Sequence, residues 1–111
     1  MKRRGAAPVL VLLTMAVVTG CGAPSSGRPV AELWSEHCAN CHGEDGHGNP
    51  ARRRLDPRID LRRSEMISRE DRGLVFQRIA YGYAAMPGFI HKLPQGDIEK
   101  LVELCATLAR R

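Results

Sequence analysis

Aromatic side chains are scarce in this chain: one Trp, two Tyr and two Phe in 111 residues. A chain this short fits one small domain, and its few rings leave a thin core that calls for a staple or a large apolar cofactor. The length excludes a TIM barrel or a two-domain nucleotide enzyme. No stretch shows the alternation of a strand, and no internal repeat is visible. Long hydrophobic runs are missing too. The longest, Ala6 to Val18, has about 13 residues, short of the roughly 20 that a membrane-spanning helix needs.

That run follows Lys2, Arg3 and Arg4 and has the length of a signal-peptide core. It ends in Val18-Thr19-Gly20-Cys21, which resembles a bacterial lipobox. The resemblance implies that residues 1–20 are removed and that Cys21 is lipidated as the first mature residue. The expected location is therefore outside the cytoplasm, tethered to a membrane. Gly22 rather than Asp after the cysteine leans toward the outer membrane on its periplasmic side, against the outer face of the cytoplasmic membrane. Processing also changes the charge. Lys plus Arg falls from 17 to 14 against 12 Asp plus Glu, so +5 becomes +2. With that, the case for nucleic acid as a partner fades, since no aromatics interleave the basic residues.

Residues 21–28 read as the lipidated cysteine and a short linker (Gly-Ala-Pro-Ser-Ser-Gly-Arg at 22–28), and residues 29–111 as the domain. Fully extended, residues 22–28 reach about 23 Å at roughly 3.3 Å each. Three helices are expected. The first follows Pro29, with Val30, Leu33, Trp34, Cys38 and Cys41 on one face. The second is capped by Ser68 and runs to Tyr81, with Leu74, Val75 and Ile79 inward and Gly82 at its stop. The third covers Gln95 to Ala109, with Ile98, Leu101, Val102, Cys105 and Leu108 inward. Residues 43–63 and 84–94 read as long loops, and loops of that length serve a function or surround something.

Cys38-Ala39-Asn40-Cys41-His42 is a C-x-x-C-H sequence, the attachment signature for c-type haem. Residues three and four apart share a helix face, so two thiols and one imidazole project toward one object. The thiols can add to two vinyl groups while the imidazole reaches the iron. Zinc needs about four ligands, usually in two separated pairs, and only the lone Cys105 and scattered histidines remain. A thioredoxin-like site would sit near a βαβ pattern, which is absent. A Cys38–Cys41 disulfide leaves His42 and the loops without a role.

Further motifs join this one: Trp34 four residues ahead of Cys38, Cys-His-Gly-Glu-Asp-Gly-His-Gly-Asn-Pro at 41–50, and Ala85-Met86-Pro87-Gly88-Phe89. Lys92-Leu93 and the Asp97-Ile98-Glu99-Lys100-Leu101-Val102 helix follow. With them the sequence resembles the class I cytochromes c, small all-α carriers with about three main helices and long loops around one covalent haem. The resemblance implies Cys38 and Cys41 as thioether attachments, and His42 and Met86 as axial ligands of the iron. Met66, His37, His47 and His91 are the competing sixth ligands. It also implies that the Pro50 carbonyl orients His42, and that Tyr81, Tyr83 and Arg58 stand near the haem propionates. A filled coordination sphere suits electron transfer rather than bond making, so the expectation is a carrier and not an enzyme. Its partners would be redox proteins at or near the membrane, with the chain a monomer or a subunit of a complex. The alternatives are a haem subunit of a larger oxidoreductase, or a ligand-binding or peroxidase-like protein in which Met86 is displaced. Six arginines between Arg52 and Arg63 face only Asp56 and Asp60, a local charge of +4 available to propionates, an acidic partner or anionic head groups. Leu104 stands where the family has an aromatic, opposite Ala31 and Trp34, and reads as a size swap. Cys105 reads as a buried small hydrophobe.

Overall fold

Pro29 presets the turn into α1 (Val30–His37), and the first backbone bonds run from Glu32 and Leu33 back to its carbonyl. The computed structural model describes residues 20–111 together with residues 2 and 5. The expected signal segment, including Ala6 to Val18, otherwise lies outside the described residues. α1 stops at Cys38, and a further turn, α2 (Ala39–His42), follows immediately. The helix expected to run on to Cys41 is thus broken at its first cysteine.

The expected loop at 43–63 is more built than its composition suggests. It contains α3 (Pro50–Arg53), capped by the Asn49 side chain on Ala51 N, and two 3₁₀ turns, Pro57–Ile59 and Leu61–Arg63. α4 (Glu65–Ser68) comes next and is capped by Ser64. α5 spans Arg72–Tyr81, and its cap is Asp71, whose carboxylate accepts from Leu74 N at 3.0 Å. Ser68 belongs to α4 and does not cap α5. With the helix phased from Asp71, Val75, Ile79 and Ala80 point inward and Leu74 turns out, 46% exposed. Gly82, at φ 76°, ends α5 as expected.

α6 (Gln95–Ala109) has the expected bounds and buries Ile98, Leu101, Val102, Cys105 and Leu108. It packs against both α1 and α5. Leu33 and Trp34 join it in one core, with Leu104 half-buried against that core and Ala31 exposed. The expected size swap therefore runs through Trp34 and leaves Ala31 out. Among the described residues there is no strand, only one isolated bridge between Tyr83 and Met86.

Pro94 offers no side chain to cap α6, and the segment read as a linker supplies what is missing. Gly96 N donates to the Pro24 carbonyl at 2.7 Å. The Ser25 and Ser26 hydroxyls both donate to Asp97, a carboxylate with 0% exposure in the first turn of α6. Their hydrogen bonds, Ser26's first, hold Asp97 below the usual carboxylate range. Residues 24–26 are accordingly a strap docked on α6.

Candidate functional site

One helical turn brings the C-x-x-C-H residues together: Cys41 N and His42 N both donate to the Cys38 carbonyl, at 3.2 and 3.0 Å. Gly43 ends that turn, and its carbonyl accepts from Trp34 Nε1 at 3.0 Å. The indole thus ties the turn to the core, with its ring 5.9 Å from the His42 imidazole. Among the described residues all four cysteines are free thiols. Burial pushes the Cys38 thiol up to about 11, with Cys41 beside it adding to the shift.

His42 Nδ1 lies 2.7 Å from the Ile59 carbonyl. A carbonyl only accepts, so Nδ1 carries the proton and Nε2 keeps its lone pair for a metal. The acceptor expected from the resemblance was Pro50. Pro50 instead opens α3, where a carbonyl points along the helix axis, and the chain reaches His42 nine residues later.

Two matched clamps hold Ile59 in place. Asp56 accepts from Arg58 N and, in a fork, from Arg58 Nε and Nη2 at 2.8 and 2.9 Å. Asp60 repeats the pattern four residues on, accepting from Arg62 N, Nε and Nη2. In each case the arginine hydrogen bond is the main reason the carboxylate lies below its ordinary range. The sequence does contain this small repeat, Asp56-Pro57-Arg58 and Asp60-Leu61-Arg62, but it is too short to register as periodicity.

Cys38, Cys41, His42 and Met86 all line one cleft of about 260 Å³. Ile59, Ala85, Pro87 and Phe89 give it apolar walls. Leu55, 88% exposed, and Tyr83, 57% exposed, also face it. A cleft with an imidazole lone pair, a thioether, two thiols and an uncovered leucine fits a flat apolar macrocycle bound through iron and sulfur. Met86 is held by a tight turn in which Tyr83 N donates to Met86 O at 3.0 Å and Met86 N to Tyr83 O at 2.9 Å.

The competing ligands separate by position. Met66 packs against the core with Ile67, away from the cleft. His47 lies outside it, beside Asp45, and His91 is exposed. His37 does line the cleft, edge-on to Phe89 at 5.6 Å. Of the outer residues, Tyr83 and Arg58 line it, whereas Tyr81 is 68% exposed and does not, because it falls on the outward side of α5. Arg52 lines the cleft as well. So does Arg78, which the sequence reading missed because it sits in a helix and not in the arginine-rich loop. A wider, shallower depression of about 700 Å³ lies between α5 and α6, lined by Phe76, Val102 and the Arg72–Glu103 pair, and it holds no Cys or His.

The family model described as "Cytochrome C oxidase, cbb3-type, subunit III" matches residues 25–104. Among solved structures, the chain is similar to one described as "KustC0563 c-type cytochrome". The TM-score is 0.63 at 23% identity, over 73% of this chain and 98% of that one. At that identity the likeness speaks for the fold. No curated protein matches.

Proposed function

We propose, from the premise that this chain belongs to the cytochrome c domains of the cbb3-type oxidase subunit III family, that it is a membrane-tethered carrier of single electrons with a His42/Met86-ligated iron. Its fold is that of a class I cytochrome c, and its cofactor is haem c, bound covalently. Bound there, the haem supplies an iron that cycles between ferrous and ferric states.

The chain's residues do the rest. Cys38 and Cys41 anchor the ring, while His42 offers Nε2 to the iron with its orientation set by Ile59. Met86 gives a soft neutral thioether, which favours the reduced metal and raises the potential relative to a second histidine. Arg52 lines the cleft without a carboxylate partner among the described residues and is suited to carry the propionate charge. The observation that carries this reading is the convergence of two thiols, a correctly tautomerised imidazole and a turn-held thioether on one cleft. The test is the spectrum of the ferric protein. It should be low-spin with a long-wavelength sulfur-to-iron band, and Met86→Ala should abolish that band while the haem stays attached. A band that survives the substitution would refute the ligand assignment.

The tether rests on the lipobox-like sequence and gains from the strap. With Pro24 docked, only Gly22 and Ala23 separate Cys21 from the domain, about 7 Å of extended chain. The haem domain would then ride close to the membrane and meet redox partners there. Cys21→Ser should release it into the soluble fraction; a wild-type protein already soluble after export would contradict the tether. The family's description names an oxidase subunit, which favours a second reading, that this chain is the haem subunit of a larger oxidoreductase. Co-migration with other subunits after mild solubilisation separates the two.

A further inference from the structure

One aromatic ring of the loop bearing Met86, that of Tyr83, reaches the turn behind His42 on the opposite side of the cleft. Tyr83 opens that loop and shares two backbone hydrogen bonds with Met86. Arg78, on α5, places its guanidinium carbon 4.4 Å from the centroid of the Tyr83 ring. Arg58 approaches the same ring at 6.0 Å. Arg58 comes from the turn behind His42, next to Ile59, and is fixed there by its fork to Asp56. Arg78 has no carboxylate partner among the described residues, so nothing there pulls it from the ring. The Tyr83 ring therefore connects three elements: the turn that orients His42, the end of α5 and the loop that presents Met86.

We propose that Tyr83, gripped by Arg58 and Arg78, is a latch that keeps Met86 on the iron. The proposal rests on the His42/Met86 reading and deepens it by naming what opposes displacement of the sixth ligand. Because two backbone hydrogen bonds join Tyr83 to Met86, a swing of the turn that carries Met86 away also takes Tyr83 from its two cations. Each cation–ring contact at an exposed site is worth a few-fold in an equilibrium, and two together about tenfold. Tyr83 is a positioning residue: it acts on the iron only through the Met86 turn. A latch of this size leaves Met86 bound at rest and sets how easily a small ligand replaces it.

The test uses the ferric holoprotein, full chain, with imidazole as the displacing ligand and loss of the sulfur-to-iron band as the readout. Tyr83→Leu keeps apolar bulk but removes the π face, and should bind imidazole about tenfold more tightly than wild type. Arg78→Gln removes the nearer cation and should give about a threefold gain. Tyr83→Phe retains the ring face and should stay within about twofold of wild type. A Tyr83→Leu protein with wild-type imidazole affinity overturns the latch while leaving Met86 as the ligand. So does a Tyr83→Phe protein that shifts as far as Tyr83→Leu, because the hydroxyl and not the ring would then be at work. A wild-type protein without the band overturns the ligand assignment and the latch with it.

Discussion

The two sides of the cleft are built differently. On the His42 side every part is fastened over short distances. A helical turn closes on Cys38, the Trp34 indole bonds Gly43, Ile59 orients the imidazole, and two Asp-x-Arg forks brace Ile59 from both flanks. On the Met86 side, a mostly exposed tip, residues 83–87, is closed by one backbone bridge and the Tyr83 contacts, and the chain rejoins α5 only beyond it, where Phe89 N and Ile90 N donate to the Ile79 and Ala80 carbonyls. Fastening is thus densest behind His42, the proposed ligand on the turn that carries both cysteines. Met86, the other proposed ligand, sits in the less fastened tip between those ties. Under the proposed ligation the difference separates two tasks: one side secures the cofactor, and the other sets its coordination.

The comparison breaks most visibly with His42→Ala or Cys41→Ser. Either should abolish stable holoprotein, measured as haem content of the purified chain, because the secured side has lost its purpose. Changes on the Met86 side should leave the haem attached. Gly82→Ala is the next largest. Gly82 takes φ 76° and ψ −179°, and an added Cβ would overlap the Met86 carbonyl, so the turn must shift. The cost is of order 1–3 kcal/mol. Haem content should be preserved while the sulfur-to-iron band weakens; loss of haem as complete as in His42→Ala would erase the distinction.

Asp97 probes stability away from both sides. Its folded-state pKa lies below the unfolded one, so its stabilisation is complete above the ordinary Asp range, near ~4, and fades as pH falls through the lowered value. Asp97→Asn should flatten the acid limb of a stability–pH profile, and Asp97→Ala should cost about 2 kcal/mol by leaving the strap unbonded. Neither should move the haem spectrum. The smallest effect concerns Cys105. Burial, with Cys38 nearby, pushes its thiol up to about 12. An alkylating reagent at neutral pH should leave it unmodified in the folded holoprotein and label it after denaturation.

Much of this was legible in the sequence where chemistry fixes spacing. Cys38, Cys41 and His42 must fall on one turn, and Met86 sits between small residues and Pro87 in a loop with no helical pattern. α6 was legible because five apolar residues keep strict helical spacing. What escaped depends on contacts distant in sequence or on single hydrogen bonds. Ser68 and Asp71 are both good caps, and only packing picks Asp71. Ile59 rather than Pro50 meets His42 because of two short turns no periodicity announces. Ser25 and Ser26 look like linker until Asp97, more than 70 residues away, accepts from both. Tyr81 and Tyr83 flank one glycine, and the end of α5 sends only the second to the cleft.

The most direct test of the central claim is the methyl NMR spectrum of the ferrous holoprotein labelled at methionine methyl groups. Outside the expected signal segment only Met66 and Met86 report. A methyl held over the face of the ring is driven far upfield by the ring current, whereas one in the core is not. The account predicts one strongly upfield methyl, absent from Met86→Leu, with Met66 in the ordinary range. An upfield methyl that survives Met86→Leu, or none in the wild type, would contradict it.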